Sequence, residues 1–434
     1  MWQFEDVHGV SYETAQQAVV QSLEERRIRK ALLIPPDITR SHSQAGLLTM
    51  LYYQALQPAH VDILPALGTH MAMTREEQVA MFGPDIPASA YMVHDWRNGV
   101  RKIGEVPGDY VREISEGLLD YSIDVELSKV VLEGGYDLVV SLGQVVPHEV
   151  VGMANYSKNL FVGCGGAGMI NKTHYLGAIY GMERLMGQDI GPVRAVFDYA
   201  ETRFIQDIPL LYVLTVTSPA QENDTAFGQA AGYAFGKATA VNGLYIGRER
   251  AVFETAVAMS QRMNLDFLDE PLQKVVVYLD PGEFRSTWLG NKAIYRTRMA
   301  IADGGELVIV APGVGQFGED AGIDKLIRAY GYFGRDRTLE NTAAHDDLRT
   351  NLSAAAHLIH GSSDGRFKIT YAAGKLTKDE VEGVGFSYMP MDEAMDTYPV
   401  DTMRPGMQRV GGEDVYYIPN PALGLWAWKE RFGG

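Results

Sequence analysis

Short apolar runs alternate with segments of helical periodicity along most of this chain. Ala31-Leu-Leu-Ile34 reads as a strand, the PPDITRSHSQ segment from Pro35 as a loop, and Ala45 to Ala55 as a helix. His60-Val-Asp-Ile-Leu-Pro65 predicts a second strand that runs into a Gly68-Thr-His70 loop. Thr74, with Glu77 three residues on, predicts a capping box at the start of the helix TREEQVAMF. The same order recurs around Leu138 to Leu142, and again at Leu210 to Val216 ahead of an Ala-rich stretch from Gly228. Such alternation predicts an α/β fold, with a parallel, Rossmann-like sheet covered by helices. A second set of strands, Val275 to Leu279 and Leu307 to Ala311, precedes Gly315 to Arg328, which leads into a helix. The reading is therefore two α/β domains, residues 1–270 and a smaller 271–434, divided near Asp269-Glu-Pro271, with the site in the cleft between them.

Composition narrows the partners. The 434 residues carry a net charge of −17, which argues against nucleic acid or an anionic membrane surface. A single cysteine, Cys164, excludes an internal disulfide framework and fits a reducing compartment. The N-terminus has no basic stretch followed by an apolar core, and no apolar run approaches the roughly 20 residues that span a bilayer. The expectation is a soluble cytoplasmic protein acting on a small molecule, its oligomeric state open.

The chemistry-bearing residues cluster after predicted strands: PPDITR at Pro35 to Arg40, ALGTH at Ala66 to His70, and VVPHEVVGMANYSKNLFVGCGGAGMINKTHYLG from Val145. Residues there gather outside the carboxyl ends of a parallel sheet, the usual ligand crevice of such folds. Thr39 and Arg40 read either as a phosphate grip or as a turn with an exposed ion pair. His70 and His148 are candidate bases or loop histidines. Lys158, among small and apolar residues that depress an amine pKa, is either a covalent attachment point or a solvated lysine. His174 reads as a metal ligand or a helix cap, and Cys164 as a buried small residue or a cofactor neighbour. The run Gly163 to Gly168 is a flexible phosphate-loop candidate. No HxH, HExxH or CxxC spacing supports a conventional zinc site.

Together these motifs resemble the lactate racemase family, whose members carry a nickel-pincer nucleotide. The resemblance rests on PPDITR, ALGTH, the Pro-His with a lysine ten residues on, and a histidine sixteen residues further. It implies that Lys158 bonds covalently to the pincer pyridinium and that His174 ligates nickel. It further implies that His70 and His148 flank the substrate, with Asp37, Thr39 and Arg40 near the nucleotide. The implied reaction is racemisation or epimerisation at C2 of a 2-hydroxy acid, in which hydride passes to the cofactor and a histidine takes the hydroxyl proton.

The chain also departs from the family pattern. Lactate-specific members have a Gly-Gly pair shortly before the attachment lysine, where this chain has Ala154-Asn-Tyr-Ser157. Their second-domain substrate helix corresponds to Trp288 to Arg298 here, which offers Asn291, Lys292, Tyr295, Arg296 and Arg298 to a carboxylate and several hydroxyls. His357, His360, Ser362 and Ser363 add polar capacity. This enlargement points to a sugar acid and looks like the branch that interconverts D-gluconate and D-mannonate. Two other readings stay open: a Schiff-base enzyme working on keto-acids through Lys158, and a non-catalytic carrier of the nickel nucleotide.

Overall fold

The computed structural model describes residues 1–220, 239–422 and 424–432 of the chain. The Ala-rich stretch read from Gly228 begins outside the described residues. The chain divides into two compact units, Met1–Thr173 with Gly187–Asn264, and His174–Met186 with Leu265–Gly434. The change of unit near Asn264 lies close to the expected boundary. The segment 174–186, which the sequence reading assigns to the first domain, is counted with the second.

The first unit is built on six strands: β1 (Trp2–Glu5), β2 (Lys30–Ile34), β3 (His60–Ile63), β4 (Leu138–Gln144), β5 (Leu210–Pro219) and β6 (Thr239–Gly247). Their order across the sheet is β1-β6-β5-β4-β2-β3. Strands β3, β2, β4 and β5 are mutually parallel, whereas β6 runs against them and pairs antiparallel with both β5 and the edge strand β1. The sheet is therefore mixed rather than wholly parallel, because β5 and β6 are consecutive strands that pair antiparallel. β4 is buried at all seven positions, and β2 at four of five, as parallel strands covered on both faces require. Leu33, Val140, Leu211 and Val213 pack with Leu48, Leu51 and Tyr52 of the helix Ala45–Ala55. Each such aliphatic side chain, fully buried, contributes about 1.5–3 kcal/mol.

Strand order positions the site. From β2 the chain goes to β3 on one side and then returns to β4 on the other, so β2 and β4 form a topological switch point. Their pairing ends at Ile34 opposite Ser141, the position where folds of this kind place a ligand crevice.

The second unit has its own six-stranded sheet: β7 (Leu272–Tyr278), β8 (Ile301–Ala311), β9 (Lys368–Ala373), β10 (Ser387–Tyr388), β11 (Gly406–Val410) and β12 (Glu413–Ile418), in the order β10-β9-β8-β7-β12-β11. All its pairings are parallel except β11 with β12, where a tight turn at Gly411 and Gly412 joins consecutive strands. No helix of the described residues is long and apolar enough to cross a membrane.

Candidate functional site

Three polar loops meet at the switch point of the first unit. After β2, Asp37 caps a short 3₁₀ turn, Ile38–Ser43, by accepting the Thr39 backbone N–H at 3.0 Å and its hydroxyl at 2.5 Å through Oδ1. After β3, the ALGTH loop is stitched to the first by a Pro36–Ala66 bridge, with Ala66 N–H donating to Pro35 O at 2.8 Å. That stitching brings exposed His70 onto buried Asp37, with Nδ1 and Oδ2 at 2.5 Å. Burial alone would raise the Asp37 pKa, but the hydrogen bond and charge of His70 and the two bonds from Thr39 outweigh it, so the carboxyl titrates below its usual range. An ionised Asp37 accepts a hydrogen bond from Nδ1–H, which leaves the lone pair of His70 on Nε2.

The third loop follows β4. Pro147–His148 pairs with Gly152–Met153 in a small hairpin, which buries His148. Its Nδ1 accepts the Val150 N–H at 3.1 Å, so the neutral ring carries its proton on Nε2. Glu149 Oε2 lies 3.5 Å from the same Nδ1. The two histidines are therefore in opposite tautomers, one prepared to accept at Nε2 and the other to donate.

Beyond the hairpin the backbone takes two consecutive left-handed residues, Asn155 (φ 68°) and Tyr156 (φ 58°), before the short helix Ser157–Phe161. These are the residues of the run that departs from the family's Gly-Gly, and they keep a glycine-type backbone while carrying side chains. Tyr156 turns inward, its ring 5.2 Å from Phe253 and 4.1 Å from Tyr212. Asn155 packs its amide where a Cβ on Gly143 would lie, which is why β4 needs glycine at that position.

Lys158 stands on this helix, half-buried. Loss of hydration pushes its amine down to about 8, with Arg40 and Arg194 adding like-charge pressure against Glu149 and Asp37. The next residue, Asn159, was not among the sequence candidates. Its Nδ2 donates to Ile34 O and Ser141 Oγ, each at 3.0 Å, and so latches the helix onto the ends of β2 and β4. No local signal marks Asn159, since its partners are 18 and 125 residues away.

The Gly-rich run is not a free phosphate loop. Gly163, Cys164 and Gly165 carbonyls accept from Gly68 N–H, Ser128 N–H and His94 Nε2, and Gly168 N–H donates to Glu126. Gly165 is required by close approach, because a Cβ there would collide with the Phe161 carbonyl. Cys164 is fully buried, and burial pushes its thiol up to about 12, so it is inert packing. The following helix, Ala167–Tyr180, carries His174. Among the described residues no three His, Cys, Asp or Glu side chains gather as a metal cage.

In the second unit the expected Trp288–Arg298 helix is broken into Thr287–Gly290 and Lys292–Thr297 at Asn291. Asn291 is fully buried beside Tyr332, whose hydroxyl pairs with Thr287 Oγ1 at 2.8 Å. Lys292 is half-buried and Tyr295 buried. Arg296 and Arg298, expected to grip substrate, are engaged in the fold: Arg296 Nη1 donates to Gly424 O at 3.0 Å. Arg298 binds Glu183 at 2.5 Å, Asp364 at 3.0 Å and Ser362 O at 3.1 Å, with only 2% of the side chain exposed. His357 stacks flat on Trp288 at 4.2 Å, and His360 is buried. Arg298→Met removes the cation shared by Glu183 and Asp364 and leaves them only their weaker partners, so it is expected to lower stability by about 1–3 kcal/mol. A thermal melt checks this; an unchanged melting temperature with a raised substrate KM would return Arg298 to the substrate.

Residues 13–186 match the family model described as the lactate racemase N-terminal domain. None of the curated proteins matches this chain. Among solved structures, a crystal structure of a Thermotoga maritima protein is similar with a TM-score of 0.81 at 22% identity, covering 98% of this chain and 100% of that one. The lactate racemase apoprotein from Thermoanaerobacterium thermosaccharolyticum is similar with a TM-score of 0.64 at 17% identity, covering 95% of this chain and 92% of that one. At these identities the likeness is one of fold.

Proposed function

We propose that this protein is an isomerase that inverts C2 of a 2-hydroxy acid, with a sugar acid of the D-gluconate/D-mannonate kind as substrate. The observation that carries the reading is the amine of Lys158: depressed to about 8, it is latched at the switch point within the electrostatic reach of Asp37, the partner of His70. The match of residues 13–186 to the lactate racemase N-terminal domain supports it. A lysine that sheds its proton near neutrality fits covalent attachment of a nickel-pincer nucleotide, with His174 as the protein's ligand to nickel. When bound, that cofactor takes up and returns the hydrogen of C2 as hydride.

The chain's own residues move the proton. His70 accepts the 2-hydroxyl proton at Nε2, and ionised Asp37 stabilises the imidazolium that forms, as a carboxylate does for a catalytic histidine. The resulting 2-keto acid presents its oxygen to His148, which in its protonated form, with Glu149 beside Nδ1, donates from Nε2–H to restore a hydroxyl in the opposite configuration and is left neutral with a base at Nε2 for the return direction. Thr39 is occupied with Asp37, so of the first motif Arg40 is the residue left to meet a phosphate.

Turnover of gluconate by cofactor-loaded protein in heavy water tests the reading. Product mannonate without deuterium at C2 is expected, and deuterium there would replace hydride transfer by proton abstraction. A second reading is favoured by the same depressed amine, since a lysine titrating near 8 also suits a Schiff base with a keto-acid. Borohydride trapping of a keto-acid on Lys158 in nickel-free protein would establish that alternative.

A further inference from the structure

We infer that Arg194 is a positioning residue for the Lys158 amine, bracketing the turn that delivers it and holding a buried positive charge behind it. Arg194 lies on the helix Pro192–Phe204 with 1% of its surface exposed. Nη1 donates to Ser157 Oγ at 3.2 Å and Nη2 to Met153 O at 2.8 Å. Those two acceptors stand on either side of Ala154-Asn155-Tyr156, the run that contains both left-handed residues. A planar fork can hold both ends of such a turn at once, which a lysine ammonium cannot. The guanidinium is fixed from its other side by the Phe253 ring, 4.4 Å away.

The charge is compensated only through space: Asp198 and, more weakly, Glu201 act on it without a direct hydrogen bond. Asp198 is bonded to Arg250 at 3.2 Å, and Glu201 accepts the Tyr212 hydroxyl at 3.0 Å. Burial pushes Glu201 up to about 7, so it is only partly charged at neutrality. Burial lowers Arg194 itself to about 10, which leaves it cationic under the same conditions. No carboxylate of the described residues forms an ion pair with Arg194, and a buried cation without one is costly. Around Lys158, Arg40 and Arg194 favour the neutral amine, while Glu149 and Asp37 oppose them.

The inference rests on Lys158 being the reactive amine and makes no use of which electrophile it meets. Competitive labelling of the full apo chain with acetic anhydride, followed across neutral to alkaline pH by mass spectrometry of the Lys158 peptide, reads the amine directly. Exposed Lys378 serves as the internal reference. In Arg194→Met the Lys158 midpoint is expected to rise by roughly half a pH unit or more, while the reference stays fixed. Arg194→Lys keeps the charge and is expected to keep the midpoint but label more slowly, because the turn is held at one end only. Ser157→Ala is expected to do the same. An unmoved midpoint in folded Arg194→Met overturns the inference. Should that variant not fold, unchanged labelling rates in both Arg194→Lys and Ser157→Ala overturn it. Failure of wild-type protein to acquire a nucleotide adduct would overturn the cofactor reading alone and leave the labelling result standing.

Discussion

Lys158→Ala, produced together with the enzymes that make the cofactor, is expected to show the bare polypeptide mass where the native chain gains a nucleotide-sized adduct. Epimerase activity is expected to fall by roughly a thousandfold or more, since the covalent anchor acts as a unit with the groups around it. An adduct of equal mass on the variant would sink the assignment of Lys158. The same lysine carries a stability cost. Its amine is lowered to about 8 by lost hydration first and by Arg40 next, against an ordinary value near 10.5. Below pH 8 the folded state must hold a charge that burial disfavours. Between about 8 and 10.5 the unfolded chain binds more protons than the native one, so native stability rises with pH through that window. Lys158→Met is therefore expected to melt higher than the native apo-protein at pH 7, with the gap closing as pH climbs through the window. A melting temperature lower than native at pH 7 would contradict the strained-lysine account. Stability gained by removing a functional group is the usual trade at a site.

Asp37→Asn is expected to cut the rate by about 10²- to 10⁴-fold with little change in fold, because an amide does not impose the Nδ1–H tautomer on His70 or stabilise its imidazolium. Since Asp37 is held below its usual pKa, the native dyad is intact at neutral pH and is lost only on acidification through that lowered value. His70→Ala and His148→Ala separate the two proton roles. Both lower kcat/KM equally in the two directions, as the equilibrium constant demands. Single-turnover oxidation of each epimer differs: each variant is expected to slow chiefly the epimer whose hydroxyl its missing ring would deprotonate. Equal slowing of the same epimer by both variants would refute opposite roles, and a fully active Asp37→Asn would refute the dyad.

The opposite tautomers of the two histidines illustrate what a sequence holds and what it withholds. Both residues stand out in the chain, each in a loop directly after a strand-like run. Their protonation states do not, because they depend on a carboxylate 33 residues from His70 and on the Val150 N–H presented by a two-residue hairpin. Arg194 has a faint signal, as it shares a helical face with Phe197 and Glu201 at spacings of three and four. Its partners at Met153 and Ser157 lie 41 and 37 residues away and leave no local trace. Arg298 errs the other way: a cation-rich helix suggests substrate, and only folding reveals that Glu183 and Asp364 claim its guanidinium.

Local pattern by itself determined the strands read at 31–34, 138–142 and 210–216, each of which lies within a parallel strand of the sheet, the helix at 45–55 and the Thr74 capping box, because continuous apolar runs, helical periodicity and caps are set by near neighbours. It also singled out Asp37, His70, His148 and Lys158 of the first unit as candidates for the chemistry. Tertiary structure alone decided the antiparallel edge of the first sheet, the break at Asn291, and the pairing of Asp37 with His70. It alone decided the pressure on Lys158 as well. Hydration loss and Coulomb interactions act over a few ångströms in space between groups tens of residues apart, so no window along the chain contains them.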